Sequence, residues 1–160
     1  MQEIILFDKD GSKNREDLRL STLDNYISIC KKYDKHCILE LKSHFTKEEI
    51  LSIIHIIKNR EYLDSVTFIS FDYENLMKIK EYLPEQSAQF LFREFTEGLV
   101  EKLIADKLDV DVYHQALTKD VIHMLHDNNL VVNCWTVDAK ERGEELAQWG
   151  VDFITSNILE

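Results

Sequence analysis

Glycine and proline are scarce in this chain of 160 residues, which holds four of the first and one of the second. So few turn-formers exclude a turn-rich all-β protein and argue against disorder. Gly11, Gly98, Gly143 and Gly150 stand alone. No glycine-rich loop follows a first strand, so the usual phosphate-binding signature of an open doubly wound sheet is missing. Cysteine is limited to Cys30, Cys37 and Cys134, an odd number with no Cys-x-x-Cys pair. These read as small core residues in a reducing, cytoplasmic setting. Positive charge is also short: 19 Lys and Arg face 30 Asp and Glu, for a formal net charge of −11. Such a surface repels nucleic-acid phosphates and anionic lipid, so neither is an expected partner. No apolar run has membrane-spanning length, and the opening Met1-Gln2-Glu3 is acidic where a signal peptide is basic.

A regular alternation of strands and helices is present instead. Ser21-Thr22-Leu23-Asp24 opens a helix that runs to about Tyr33, with the Ser21 hydroxyl at the cap and Asp24 three residues on, and Ile38 to Leu41 is a strand. Thr46 and Glu49 form a capping box before a helix with Ile50, Ile53, Ile54 and Ile57 on one face. Val66 to Ser70 is a strand, and Asp72 caps a helix that Pro84 follows. Gln89 to Phe92 and Val110 to Tyr113 are short strands, followed by helices expected to be capped at Thr96 and Thr118. Val131 to Val137 is a β-branched strand, Asp138 is the expected cap of the last helix, and Gly150 ends it. Val151 to Thr155 is the final strand. Strands joined by helices through short connections lie parallel with right-handed crossovers. Fully apolar strands suit a sheet buried on both faces. No linker divides residues 1–160, which read as one domain. Five or six strands fall short of the eight in a closed (β/α) barrel, leaving an unusual open sheet or an incomplete barrel.

One strand end stands out. Glu40 and Lys42 lie two residues apart in Ile38-Leu39-Glu40-Leu41-Lys42. On a strand they share a face. A carboxylate beside an ammonium suits a metal cation with a phosphate anion. The plainer reading is a surface ion pair where a strand meets a loop.

Four passages together resemble the glycerophosphodiester phosphodiesterase family. Leu20-Ser21-Thr22-Leu23-Asp24 is similar to its Pro-Thr-Leu-Glu helix opening, with Ser21 in place of proline. Leu39-Glu40-Leu41-Lys42 is similar to its Leu-Glu-Ile-Lys strand, and Ser70-Phe71 to its Ser-Ser-Phe strand end. Trp135-Thr136-Val137-Asp138, then Trp149-Gly150-Val151-Asp152, is similar to its Trp-Thr-Val-Asn and Trp-Gly-Val-Asp ending. The resemblance implies an α/β fold, an incomplete (β/α)8 TIM-type barrel. It implies metal-dependent hydrolysis of glycerophosphodiesters to sn-glycerol 3-phosphate and an alcohol. Glu40 is then the metal ligand for magnesium or calcium, and Lys42 the catalytic group at the phosphate. Trp135, Phe71 and His44 are the substrate-binding residues. The family's His-Arg-Gly, Glu-x-Asp and His-Asp motifs, which bring its acid–base histidines and two more carboxylates, are not found in context. His126-Asp127 falls late in a helix. The expectation is therefore a truncated domain, inactive alone. The alternative is a non-catalytic domain that binds a small anion through Lys42, or a half-barrel that self-assembles as a homodimer through its edges.

The remaining candidates read more plainly. His123 and His126 sit on a solvated helix face. His114, closing a strand, is a lesser candidate for substrate contact. Arg93 and Glu94 follow a strand end and are expected to make loop ion pairs. Trp149 reads as packing.

Overall fold

The strands form where β-branched and aromatic residues cluster between polar turns. They are β1 (Cys37–Glu40), β2 (Val66–Ser70), β3 (Ala88–Phe92), β4 (Asp109–Tyr113), β5 (Val132–Trp135) and β6 (Phe153–Ile154). The structure is a computed structural model and describes Gly11 and residues 20–159. The acidic opening and most of the charged stretch of residues 8–20 lie outside the described residues. The strands make one sheet in the order β1-β2-β3-β4-β5-β6, and every neighbouring pair is parallel.

Among the described residues there are six α-helices, α1 (Leu23–Lys32), α2 (Lys47–Asn59), α3 (Tyr73–Tyr82), α4 (Leu99–Ala105), α5 (Lys119–Asp127) and α6 (Lys140–Trp149); α1 precedes β1, and the other five supply the crossovers. α2, α3 and α5 begin where expected, with the side chains of Thr46, Asp72 and Thr118 accepting backbone N–H groups of the first turn, whereas α1 is capped by Thr22, one residue past the expected Ser21. Thr46 and Glu49 close a reciprocal capping box. Gly150 ends α6 at φ 89°, in the left-handed conformation that glycine adopts without penalty.

Two further caps differ from expectation. α4 starts at Leu99 behind Gly98, not behind Thr96. Leu99 N donates to Thr96 O in a turn, and Gly98 at φ 75° breaks the path between them. α6 follows Ala139, which gives no side-chain cap. Asp138 is engaged elsewhere: it accepts from Asn157 N at 2.9 Å and from Asn157 Nδ2 at 3.0 Å. The carboxylate ties down the loop after β6 instead of starting a helix.

Register partners on parallel neighbours point the same way. Val110, Val112, Val132 and Cys134 lie on the helix side with no solvent exposure, beside Phe68, Leu76, Ile79, Ile122 and Leu125. Ile50, Ile54 and Ile57 of α2 join this core, and Ile53 packs against it. All three cysteines are free and buried. The opposite face carries Glu40, Ile69, Gln89, Asp111, Asn133 and Trp135, by alternation along each strand.

That second face is concave. Phe71, just past β2, reaches Trp135 of β5 at 5.5 Å between ring centroids, although β3 and β4 lie between their strands. Gln89 of β3 and Asn133 of β5 hydrogen-bond across β4 at 3.1 Å. A flat sheet would hold both pairs too far apart. The six strands are a curled half-barrel of TIM type. Among the described residues β1 and β6 each pair on one side only, and this edge geometry is what self-assembly would need.

Candidate active site

In (β/α) barrels the functional groups collect at the C-terminal strand ends. Here those ends deliver Glu40 and Lys42 from β1, Phe71 after β2, Arg93 after β3, Tyr113 from β4 and Trp135 from β5. Lys42 Nζ lies 3.6 Å from Glu40 Oε2, so the pair shares the concave face as alternation requires. Lys42 is mostly exposed and Glu40 about one-third exposed. The ammonium is therefore free to meet an anion arriving from solvent.

The loop behind Lys42 is fixed from below. Ser70 Oγ donates to Leu41 O at 2.6 Å, and accepts from Asp72 N at 3.0 Å. Asn75, fully buried on α3, donates to Ser43 O at 2.7 Å and accepts from Phe45 N at 2.9 Å. The serine of the Ser-Phe strand end is thus a clamp on β1, and the phenylalanine beside it faces the mouth.

An aromatic wall lines the other side. Trp135 contacts Phe71 edge-on and Tyr113 at 5.4 Å, and its Nε1 donates to Asp111 O at 3.2 Å. Arg93 was expected in a loop ion pair. Among the described residues it has no carboxylate partner. Its guanidinium lies over the Trp135 ring at 5.1 Å and the Tyr113 ring at 5.6 Å. A planar cation is weakly hydrated and stacks well on an aromatic face, which draws it from its loop.

His44 sits on the rim. Its Nδ1 is 2.7 Å from Asp72 Oδ2, and its Nε2 is 3.1 Å from Lys78 Nζ. The His44 contact holds the Asp72 carboxyl below its ordinary range. Both ring nitrogens are engaged by α3 residues and not by the concave floor. His114 packs edge-on against Tyr113, and burial, then the nearby Arg142, lowers its pKa. His126 pairs with Asp152 at 3.0 Å, away from the strand ends. Trp149 packs on the core under the Arg142 guanidinium.

Sequence reading missed the floor of the concavity. Gln89, Asp111 and Asn133 are each 1% exposed, on three neighbouring strands. Burial first, and then the charge of Glu40, raises the Asp111 carboxyl to about 7. Asp111 Oδ1 and Asn133 Oδ1 are buried without a hydrogen-bond partner. The signal was in Asp109-Val110-Asp111-Val112, where acids alternate with valines through the start of β4.

Among the described residues, no three His, Cys, Asp or Glu side chains converge as a metal cage. Glu40 at the mouth nevertheless offers carboxylate oxygens, beside the Lys42 ammonium. That chemistry fits a hard cation such as magnesium, which keeps several waters and uses few protein ligands.

A parallel half-barrel with an acid, an ammonium and an aromatic wall at its strand ends belongs to the (β/α) barrel class. A sequence profile of the glycerophosphoryl diester phosphodiesterase family matches residues 15–159, and the chain belongs to that family. A glycerophosphodiester phosphodiesterase from Parabacteroides distasonis superposes with a TM-score of 0.76 at 24% identity, covering 95% of this chain and 63% of that one. An Oleispira antarctica phosphodiesterase, solved in complex with the product sn-glycerol-3-phosphate, gives a TM-score of 0.79 at 20% identity, covering 86% of this chain and 57% of that one. A more local similarity joins 82 residues, 51% of this chain, to 34% of an NAD-dependent protein deacetylase of Oceanobacillus iheyensis at 30% identity. The chain thus spans little more than half the length of the solved phosphodiesterases above. No helix among the described residues is long and apolar enough to cross a membrane.

Proposed function

We propose that the concave mouth binds a glycerophosphodiester and forms the phosphate-and-glycerol side of a phosphodiesterase site. The observation that carries this reading is the convergence of Glu40, Lys42, Phe71 and Trp135 from β1, β2 and β5 on one open face. Lys42 holds the phosphate by charge, and the loop clamp through Asn75 keeps it in place. Phe71 and Trp135 offer apolar edges to the carbon skeleton of the glycerol. Glu40 holds a divalent cation, magnesium or calcium, which when bound neutralises phosphate charge as a Lewis acid.

Turnover is a separate matter from binding. No His-Arg-Gly occurs in the sequence, and His44 at the rim has both ring nitrogens engaged, by Asp72 and by Lys78. Loss of general acid–base groups costs about 10²–10⁴-fold in rate. Weak hydrolysis or none is therefore proposed for this chain by itself, with binding retained.

Calorimetric titration of sn-glycerol 3-phosphate with magnesium tests the reading, with release of sn-glycerol 3-phosphate from glycerophosphoglycerol assayed in parallel. Binding that weakens in Lys42→Ala supports it. Failure of the wild-type protein to bind at millimolar ligand, or an unaffected Lys42→Ala variant, overturns it. Binding without turnover places the chain with non-catalytic anion binders.

A further inference from the structure

Two rings form a corner at the mouth of the half-barrel. Trp135 of β5 and Tyr113 of β4 stand with their centroids 5.4 Å apart and their planes at 46°. They are register partners on adjacent parallel strands, so both rings leave the sheet on the concave face. Aromatic corners of this kind receive quaternary ammonium groups, because a cation is drawn to the negative face of a ring. In this chain the corner is already taken. The Arg93 guanidinium lies 5.1 Å from the Trp135 centroid and 5.6 Å from that of Tyr113.

Arg93 differs from the other described arginines in what its nitrogens do. A guanidinium stacks through its flat face and donates through its edge, so stacking leaves the donors free. Arg142 also stacks, 4.9 Å from the Trp149 centroid, but its nitrogens are spent on Leu117 O at 3.0 Å and on Glu145. Arg60 is spent on Asp24. Among the described residues no acceptor takes a hydrogen bond from the Arg93 guanidinium, and Arg93 is exposed. It is a cation oriented by rings with its N–H edge open to solvent, in a chain whose net charge of −11 otherwise repels anions.

The aromatic wall thus has two unlike ends. Phe71 meets Trp135 edge-on from the β2 side, next to the strand that carries Lys42. Arg93 covers Trp135 together with Tyr113 at the other end. A diester with its phosphate at Lys42 and its glycerol at Phe71 has the Arg93 end left for its alcohol arm. An anionic group on that arm accepts paired, charge-assisted hydrogen bonds from the guanidinium edge. A quaternary ammonium there has to displace the guanidinium from the rings or stand beside a like charge.

We propose that Arg93 is a specificity residue: it selects glycerophosphodiesters whose alcohol carries an anionic group of its own, a carboxylate or a second phosphate, over those that carry a quaternary ammonium. This rests on the glycerophosphodiester reading and names the substrate class within it.

Calorimetric titration in the presence of magnesium compares three diesters that differ in the charge of the alcohol. They are glycerophosphoinositol phosphate, glycerophosphoinositol and glycerophosphocholine, with sn-glycerol 3-phosphate as the fragment common to all. The wild-type protein is expected to bind the diesters in that order. The first exceeds the last by about tenfold or more, the worth of one charge-assisted hydrogen bond. Arg93→Gln keeps a planar donor and removes the charge, at an exposed position that no hydrogen bond ties to the fold. It is expected to close the gap from both ends, with the phosphorylated ligand losing affinity and the choline ester gaining it. A gap that survives in Arg93→Gln overturns the proposal. So does a wild-type protein that binds the choline ester as tightly as the phosphorylated one while still binding sn-glycerol 3-phosphate, and that outcome leaves the glycerophosphodiester reading intact. A wild-type protein that binds none of the four ligands overturns both.

Discussion

The buried side-chain amide of Asn75 donates to the carbonyl oxygen of Ser43 at 2.7 Å, one residue beyond Lys42. The same side chain accepts from Phe45 N. One residue of α3 thereby replaces solvent for both ends of a loop that has no regular structure of its own. Asn75→Ala leaves a backbone donor and a backbone acceptor unpaired, at about 1–3 kcal/mol for each buried group left without a partner. The urea midpoint is expected to fall. Affinity for sn-glycerol 3-phosphate is expected to fall as well, because Lys42 is no longer held. A variant of equal stability loss on the far side of the core, Leu125→Ala, serves as control. Equal affinity in the two variants would show that the clamp has no bearing on the site.

Arg93 stacks over Trp135 and Tyr113 with no carboxylate partner among the described residues. In a chain of net charge −11, an uncommitted guanidinium at the mouth is a local reversal of the field. Exposed cation–π contacts are worth only about 0.5–1 kcal/mol. Arg93→Ala therefore changes stability little. It is expected to weaken phosphate binding and to flatten its dependence on salt, as seen by titration at low and high ionic strength. An unchanged salt slope removes Arg93 from the site.

Much of the fold was legible because its signals are local. A hydroxyl or carboxylate before an acidic first turn marked α2, α3 and α5, and each of those side chains does cap its helix, while α1 is capped by Thr22, one residue beyond the Ser21 that marked it. Thr96 and Asp138 failed as caps because a left-handed glycine and a longer-range partner, Asn157, outcompeted them. Glu40 and Lys42 were readable because alternation alone puts them on one face. Asp111, Asn133 and Gln89 were not, because their meaning lies in the curl of the sheet. Only the parallel register brings Asp111 beside Asn133, and only curvature lets Gln89 reach over β4.

The capping box of α2 gives a stability test independent of the site. Thr46 Oγ1 accepts from Glu49 N, while the Glu49 carboxylate accepts from Thr46 N at 2.8 Å. These contacts hold the Glu49 carboxyl below its ordinary range. Thr46→Ala is expected to cost about 1 kcal/mol. It should leave magnesium and phosphate affinities as they are, because α2 presents its caps to solvent. A larger loss confined to binding would mean that the β1–α2 loop responds to its helix as a unit.

Asp111 sets a pH dependence whose sign runs against the usual carboxylate. Its folded-state pKa is raised to about 7, by burial and then by the charge of Glu40. In the unfolded chain it is about 3.9. The folded form therefore binds more protons, and the stability tied to that proton is complete below about pH 4 and lost as pH rises through about 7. The span of about three pKa units corresponds to roughly 4 kcal/mol. Asp72 and Asp138, held low by hydrogen bonds, act in the opposite sense, but only at more acidic pH. Asp111→Asn has no proton to lose. With EDTA present, the wild-type urea midpoint is expected to fall between pH 5 and pH 8 relative to the variant, leaving the variant more stable at pH 8. Parallel midpoints across that range would mean that the Asp111 carboxyl titrates as an exposed one, and that the floor of the half-barrel is open to water.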